Sequence, residues 1–254
     1  MKKISVLVAS IIGISLSGYA NANSFVNGGF ENGDLSNWTQ GGGSWFSGDA
    51  PLNPSNYVGG ASNNTVMNGG TDSITGANTV YGGNHSVRVG DANNGYNVST
   101  IKQSVINYTD NNIFFAWNAV LEASHGITDS GHFSINLFDD TTGLDVVNRS
   151  YSSAGAIGAG ATGVTFTEVN GWFTSGWVVE SIDLLTAGLI GHNFTLSMLA
   201  ADCVFGGHGG YAYLDGFGAV NPPTGPSEVP VPGAVWLFGS ALLGFAGFGR
   251  KKSI

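Results

Sequence analysis

A single cysteine, Cys203, excludes an internal disulfide, so stability must come from a packed core, with a bound metal as the other available staple. Charge is also scarce: Asp, Glu, Lys and Arg make up 10% of the chain, against roughly 25% in an ordinary soluble domain. That excludes a coiled coil or a charged helical bundle, both of which need charged helix formers. An aromatic share of 11% excludes a disordered acidic tail. Basic residues are rarest in the middle of the chain. Residues 23–228 hold only Arg88, Lys102 and Arg149 against all seventeen acidic residues, a net charge of −14. Such a segment repels nucleic acid, which is bound by Lys and Arg neutralising phosphate. It also repels anionic lipid, and it can attract divalent cations, which favour carboxylate and carbonyl oxygen.

What is abundant is glycine, 41 residues of 254, together with Asn, Ser and Thr. Short apolar–polar alternations broken by Gly and Asn mark strands and turns. His85–Val89, Thr100–Ile106, Ile113–Leu121, His132–Phe138, Val178–Leu185, Phe194–Leu199 and Tyr211–Phe217 read this way. In the cleanest of them Phe133, Ile135 and Leu137 face inward, and Asp139–Gly143 is a hairpin turn. No amphipathic helix is evident. Residues 47–79 and 152–163 read as small-residue loops. The expected fold is an all-β antiparallel sandwich of jelly-roll type over residues 23–220.

Both ends carry targeting patterns. Lys2 and Lys3, the apolar run Ile4–Leu16 and the Ala20-Asn21-Ala22 site predict a signal peptide over 1–22, cut by signal peptidase before Asn23. Residues 221–232 form a Pro-rich linker, and Gly233–Gly249 is an uncharged run at the lower limit for a single transmembrane helix. The basic tail at 250–254 stays cytoplasmic by the positive-inside rule. Pro230-Val231-Pro232, the WLFGSALLG core and Arg250-Lys251-Lys252 together resemble the PEP-CTERM sorting signal, with Val where the name-giving motif has Glu. The resemblance implies export, a transient inner-membrane anchor, an exosortase-type partner, and release or attachment at the surface of a cell that makes extracellular polysaccharide.

A second resemblance spans the middle domain. Asn27-Gly-Gly-Phe-Glu-Asn-Gly-Asp-Leu-Ser-Asn-Trp38, Gly83–Asp91 and Tyr211–Phe217 are similar to the opening strand and turn, a following strand and the closing strand of galactose-binding-like jelly rolls. Carbohydrate-binding modules of the family 4 and family 22 type are among these. The resemblance implies one structural Ca²⁺ held by Glu31 and Asp215, with backbone carbonyls near Gly83 and His85 completing the oxygen shell. The alternative is that Glu31 caps a turn and Asp215 bonds backbone amides.

Other candidates come from the residues themselves. Trp45, Trp172, Trp177, Tyr57 and Tyr96 are potential stacking platforms for sugar rings, or else core. Cys203 and His208 are two ligands at a spacing that matches no common zinc pattern, which favours a structural loop with a buried thiol. His125 and His132, seven apart across a turn, could flank a metal, but they read rather as solvated turn and strand-edge histidines. No G-x-S-x-G or H-E-x-x-H motif occurs. The expectation is a non-catalytic, surface-sorted structural or adhesive protein of a polysaccharide or biofilm matrix. A carbohydrate-binding module with a defined glycan is the alternative, and a glycan-acting hydrolase is a third, weaker one.

Overall fold

The computed structural model describes residues 24–46, 52–126, 129–154 and 163–218. The expected signal peptide with Ala20 and Ala22, the Pro-rich stretch with Pro230, Val231 and Pro232, the apolar run and Arg250–Lys252 lie outside the described residues.

Two antiparallel sheets pack face to face. One has five strands in the order β1 (Thr39–Ser44), β4 (Asn97–Val105), β11 (Phe194–Ala201), β6 (His132–Asp139) and β7 (Leu144–Ser152). The other runs β2 (Thr65–Asn68), β3 (His85–Val89), β12 (Gly210–Gly218), β5 (Asn112–Glu122), β9 (Trp172–Thr174) and β8 (Thr167–Val169). In this second sheet β10 (Val178–Asp183) pairs with the first half of β5, beside β9. Take β3, β4, β5, β6, β7, β10, β11 and β12 as first to eighth. One sheet is then ordered 1-8-3-6 and the other 2-7-4-5, which is the jelly-roll arrangement. One short helical turn, α1 (Leu184–Ala187), follows β10, where the sequence suggested that the strand continued. Asp183 caps it and Gly188 ends it in the left-handed conformation.

The alternation of each strand sets the core. Phe133, Ile135 and Leu137 of β6 point inward as their spacing predicts, with Ser134 and Asn136 on the other face. They meet Ile113, Phe115, Trp117, Ala119 and Leu121 of β5 and Ala212 and Leu214 of β12. Burying each large apolar side chain contributes about 1.5–3 kcal/mol, and the inward-facing ones of β5 and β6 are fully buried. At the margin Arg149 of β7 reaches across to Glu180 of β10 with two hydrogen bonds, 2.8 and 3.0 Å long, and ties one sheet to the other.

The opening segment resembles a strand and turn in sequence but folds as turns without a ladder. Its Phe30 is fully buried and stacks on Trp38 at 5.1 Å, and Trp38 leans on Phe217 of the last strand. The Phe217 amide donates to the Gly28 carbonyl, so the first described segment docks on the last. β1 carries no strand signal in its sequence. Its run TQGGGS nevertheless pairs residue by residue with β4. A β-carbon on Gly41 or Gly42 would collide with the carbonyls of Tyr57 and Ala61, which cross directly over the strand.

Candidate functional site

The two sheets present very different outer faces. On the seven-stranded sheet Tyr211 and Tyr213 point outward, yet both are about 1% exposed. The segment after β2, expected to be a featureless loop, folds over them. Asp72 accepts from Tyr211 Oη at 2.7 Å and Tyr213 Oη at 2.6 Å through one oxygen, and from Thr75 N at 2.7 Å through the other. Burial opposes ionisation of Asp72, but the hydrogen bonds from Tyr213, Tyr211 and Thr75 outweigh it and hold the carboxyl below its usual pKa. Burial and the Asp72 charge raise both tyrosines.

On the five-stranded sheet Trp45, Leu52 and Tyr57 cover the outward Val98, Leu199 and Ala201, and the remainder of the outer face is open. A groove of about 600 Å³ runs across it. Its floor is Lys102 from β4, Thr195 and Ser197 from β11, Ser134 and Asn136 from β6, and Asn148 and Ser150 from β7. One wall is Leu52–Ser55, where a 3₁₀ turn begins at Pro54. Four strands at about 4.8 Å spacing make the floor ~14 Å wide, and the seven-residue run from His132 to Phe138 makes it ~20 Å long. The side chains are organised. Asp145 accepts from Asn136 Nδ2 at 2.7 Å and from Asn148 Nδ2 at 2.8 Å. Asp140 accepts from Thr195 Oγ1 at 2.8 Å, and Ser150 Oγ lies 3.2 Å from His132 Nε2. Ser134 Oγ is buried on this floor without a hydrogen-bond partner. Desolvation pushes the His132 pKa down to about 4, so the imidazole is neutral near pH 7.

The predicted aromatic platforms lie elsewhere; none of the five lines the groove. Trp45 is 7% exposed, with its indole N–H donating to the Asp202 carbonyl at 2.9 Å, so it is packing and offers no face to a sugar. Trp177 is wedged between Tyr81 and Tyr213 and donates to the Asn78 carbonyl. Trp172 packs beside Tyr211. Tyr57 is half-buried against the Trp45 cluster. Tyr96 is half-buried, with φ 65°, and its ring sits 5.0 Å from that of exposed Phe46.

Glu31 and Asp215 do come together, on either side of the loop that leads into β3. Tyr81 N and Gly82 N donate to Asp215 at 2.8 and 3.0 Å. Asn84 N and His85 N donate to Glu31 at 2.9 and 3.0 Å. Gly83, with φ +72°, lies between the two amide pairs, and a side chain there would strike the Glu31 carboxylate. The loop therefore turns amides toward both carboxylates, as in the alternative reading of the sequence. The pair still retains negative charge. Asp215 is 1% exposed, and burial, augmented by Glu31, raises its pKa to about 7. His85 Nδ1 is buried without a hydrogen bond, 3.8 Å from Glu31 Oε2. A carboxylate has about four lone-pair sites, so the pair has acceptor capacity left for a hard cation.

Asp139 does the turn chemistry expected of it, accepting from Thr141 N and Thr142 N. His125 lies against His208, with ring centroids 5.0 Å apart, whereas His132 lines the groove.

Fold and surface thus define a two-sheet jelly roll with one face covered and the other carrying an open polar groove. The sequence matches no family model and no curated protein. Among solved structures the chain is similar to the carbohydrate-binding module TmCBM61 in complex with β-1,4-galactotriose. That match has 12% identity, covers 77% of this chain and 95% of the other, and gives a TM-score of 0.38. The Caldicellulosiruptor saccharolyticus module CBM27-1 in complex with mannohexaose aligns at 10% identity over 78% and 97%, also with a TM-score of 0.38. The K1 cleaved adhesin domain of Lys-gingipain from Porphyromonas gingivalis aligns at 12% identity over 77% and 96%, TM-score 0.38. Likenesses this distant carry no argument about what this chain binds.

Proposed function

We propose that the protein is a non-catalytic glycan-binding module that takes a short oligosaccharide stretch along the outer face of the five-stranded sheet. One observation carries the reading: a preorganised floor of Ser, Thr and Asn side chains that includes a buried, unpartnered Ser134 hydroxyl. Hydroxyl and amide side chains both donate and accept hydrogen bonds, as sugar hydroxyls do. Lys102 adds one cation beside the carboxylates of Asp140 and Asp145, which suits a neutral, strongly polar extracellular polysaccharide. Asp140 and Asp145 are held by neighbouring side chains as positioning groups. The test is calorimetric titration of the protein with a panel of neutral and acidic oligosaccharides. Saturable binding without release of reducing ends supports the reading. Absence of binding across the panel overturns it, and bond cleavage would convert it into a hydrolase.

Export, exosortase-dependent sorting and residence at the cell surface or in a biofilm matrix rest on the terminal motifs, with binding to matrix glycan as the adhesive mechanism. Ca²⁺ would be held by Glu31 and Asp215, and it would supply the positive charge that the loop amides provide only in part. Unfolding is then measured in EDTA and in millimolar Ca²⁺. A midpoint raised by several degrees in Ca²⁺, and unresponsive in Glu31→Gln, supports that site, because a ligand of the native state stabilises it by mass action. Equal midpoints in the two buffers remove calcium from the proposal and leave the groove reading untouched.

A further inference from the structure

We infer that His125, Cys203 and His208 form a binding site for a thiophilic transition-metal ion, with Zn²⁺ the ion that suits the ligand set. The two ligands visible as a short pattern in the sequence gain a third from the connection after β5. The potential ligand atoms of the three residues all lie within 4.8 Å of one another. Zn–S bonds of about 2.3 Å and Zn–N bonds of about 2.0–2.1 Å place tetrahedral ligand atoms roughly 3.3–3.6 Å apart. Closure therefore needs a shift of about an ångström, which the exposed His125 ring can supply.

The surroundings are those of a ligand cluster. Cys203 is fully buried, and the Phe205 amide donates to its sulfur at 3.4 Å, which holds the side chain in place. Ser124 Oγ lies 3.2 Å from His208 Nδ1, which fixes the ring and leaves Nε2 as the nitrogen for the ion. The Cys203 amide donates to the His208 carbonyl at 2.9 Å, so the two ends of the 203–208 loop are already joined. The Val204 amide donates to the Asp129 carbonyl at 3.1 Å and ties this loop to the connection that carries His125. One thiolate and two imidazoles select Zn²⁺ over Ca²⁺ or Mg²⁺, which want oxygen, and leave a fourth position for water. The site lies at the end of β12 opposite Asp215 and does not depend on the glycan reading. In a chain without disulfides it would pin the β11–β12 connection to the β5–β6 connection.

The experiment is titration of the full, reduced, metal-free protein with Co²⁺. The expected result is one equivalent bound, with thiolate-to-cobalt charge-transfer absorption in the near ultraviolet that stoichiometric Zn²⁺ abolishes. Cys203→Ser removes the band. His125→Gln changes only an exposed ring, so it tests the site without disturbing the core. It should weaken Co²⁺ binding by at least ~10-fold, the loss that even an outer-shell partner of a metal site causes. Glu31→Gln leaves the titration unchanged. Absence of the band in the wild type, or an undiminished affinity in His125→Gln, overturns the inference.

Discussion

The two outer faces of the sandwich are built on the same strand alternation and end in opposite states. On the seven-stranded sheet the outward positions are Tyr211, Tyr213, Val120, Trp172 and Trp177, and the excursion after β2 closes over them through Asp72. On the five-stranded sheet the outward Val98, Leu199 and Ala201 are likewise covered, by Trp45, Leu52 and Tyr57, whereas the outward Lys102, Ser134, Asn136, Ser150 and Ser197 form an open groove. Aromatic side chains at outward positions demand a cover, since an exposed apolar patch of that size is costly in water. Polar side chains at the same positions are already solvated and can be left open. The difference separates stability from recognition: the covered face contributes to the fold, and the open one is free to exchange water for ligand.

The strongest way to break this contrast is Asp72→Ala. It leaves two buried tyrosine hydroxyls and a loop without their acceptor, and should cost about 3 kcal/mol. In a domain of this size the unfolding midpoint should fall by roughly 6–12 °C; an unchanged melt would mean that the cover is not fixed by this carboxylate. Tyr213→Phe removes one hydroxyl from the same acceptor and should cost about 1 kcal/mol, read by urea titration. Lys102→Ala and Asn136→Ala on the open face should each lie within about 0.5 kcal/mol of wild-type stability. Each should weaken glycan binding by roughly 2–10-fold, since a hydrogen bond contributes about 0.5–1.5 kcal/mol. Loss of stability without loss of affinity would reverse the roles assigned to the two faces. The last prediction concerns pH. His132 has a folded pKa of about 4, below its ordinary value of 6.5. Its contribution is present above pH 6.5 and declines toward pH 4, because the unfolded chain takes up the proton first. The fall in midpoint over that window should be shallower in His132→Asn, and parallel curves for the two proteins would contradict the depressed value.

How much of this was legible follows from what each strand spends its residues on. β6 and β5 were readable because their inward residues are large and apolar and keep strict register. β7 was not: Asp145, Asn148 and Ser150 belong to the groove, and the inward Val147 and Tyr151 are too few to mark a strand. β1 hid behind glycines that carry no strand signal and serve to admit a crossing backbone. The groove itself was missed for the same reason. A search for sugar platforms looks for Trp and Tyr, and here the tryptophans went into packing, while the polar half of β6 passed as an ordinary solvent face. Glu31 and Asp215 were found, because the motifs that carry them sit on the elements that close the fold. Of the cluster of His125 with Cys203 and His208 only the last two were legible, since only the fold brings a residue 78 positions upstream beside the thiol.

The position of β12 has a consequence for the order in which the molecule can assemble. It is the last of the described strands, yet it lies between β3 and β5, near the middle of its sheet, and its Phe217 amide bonds back to Gly28. A chain that has so far delivered only the earlier strands has a gap where β3 and β5 should be joined, and it has nothing for its opening segment to dock on. Closure is therefore a late, all-or-none event dominated by contacts distant in sequence, the kind that folds slowly. Until residues 210–218 arrive, β3 and β5 have no strand to join them; once they arrive, the first and last described segments of the domain lock together.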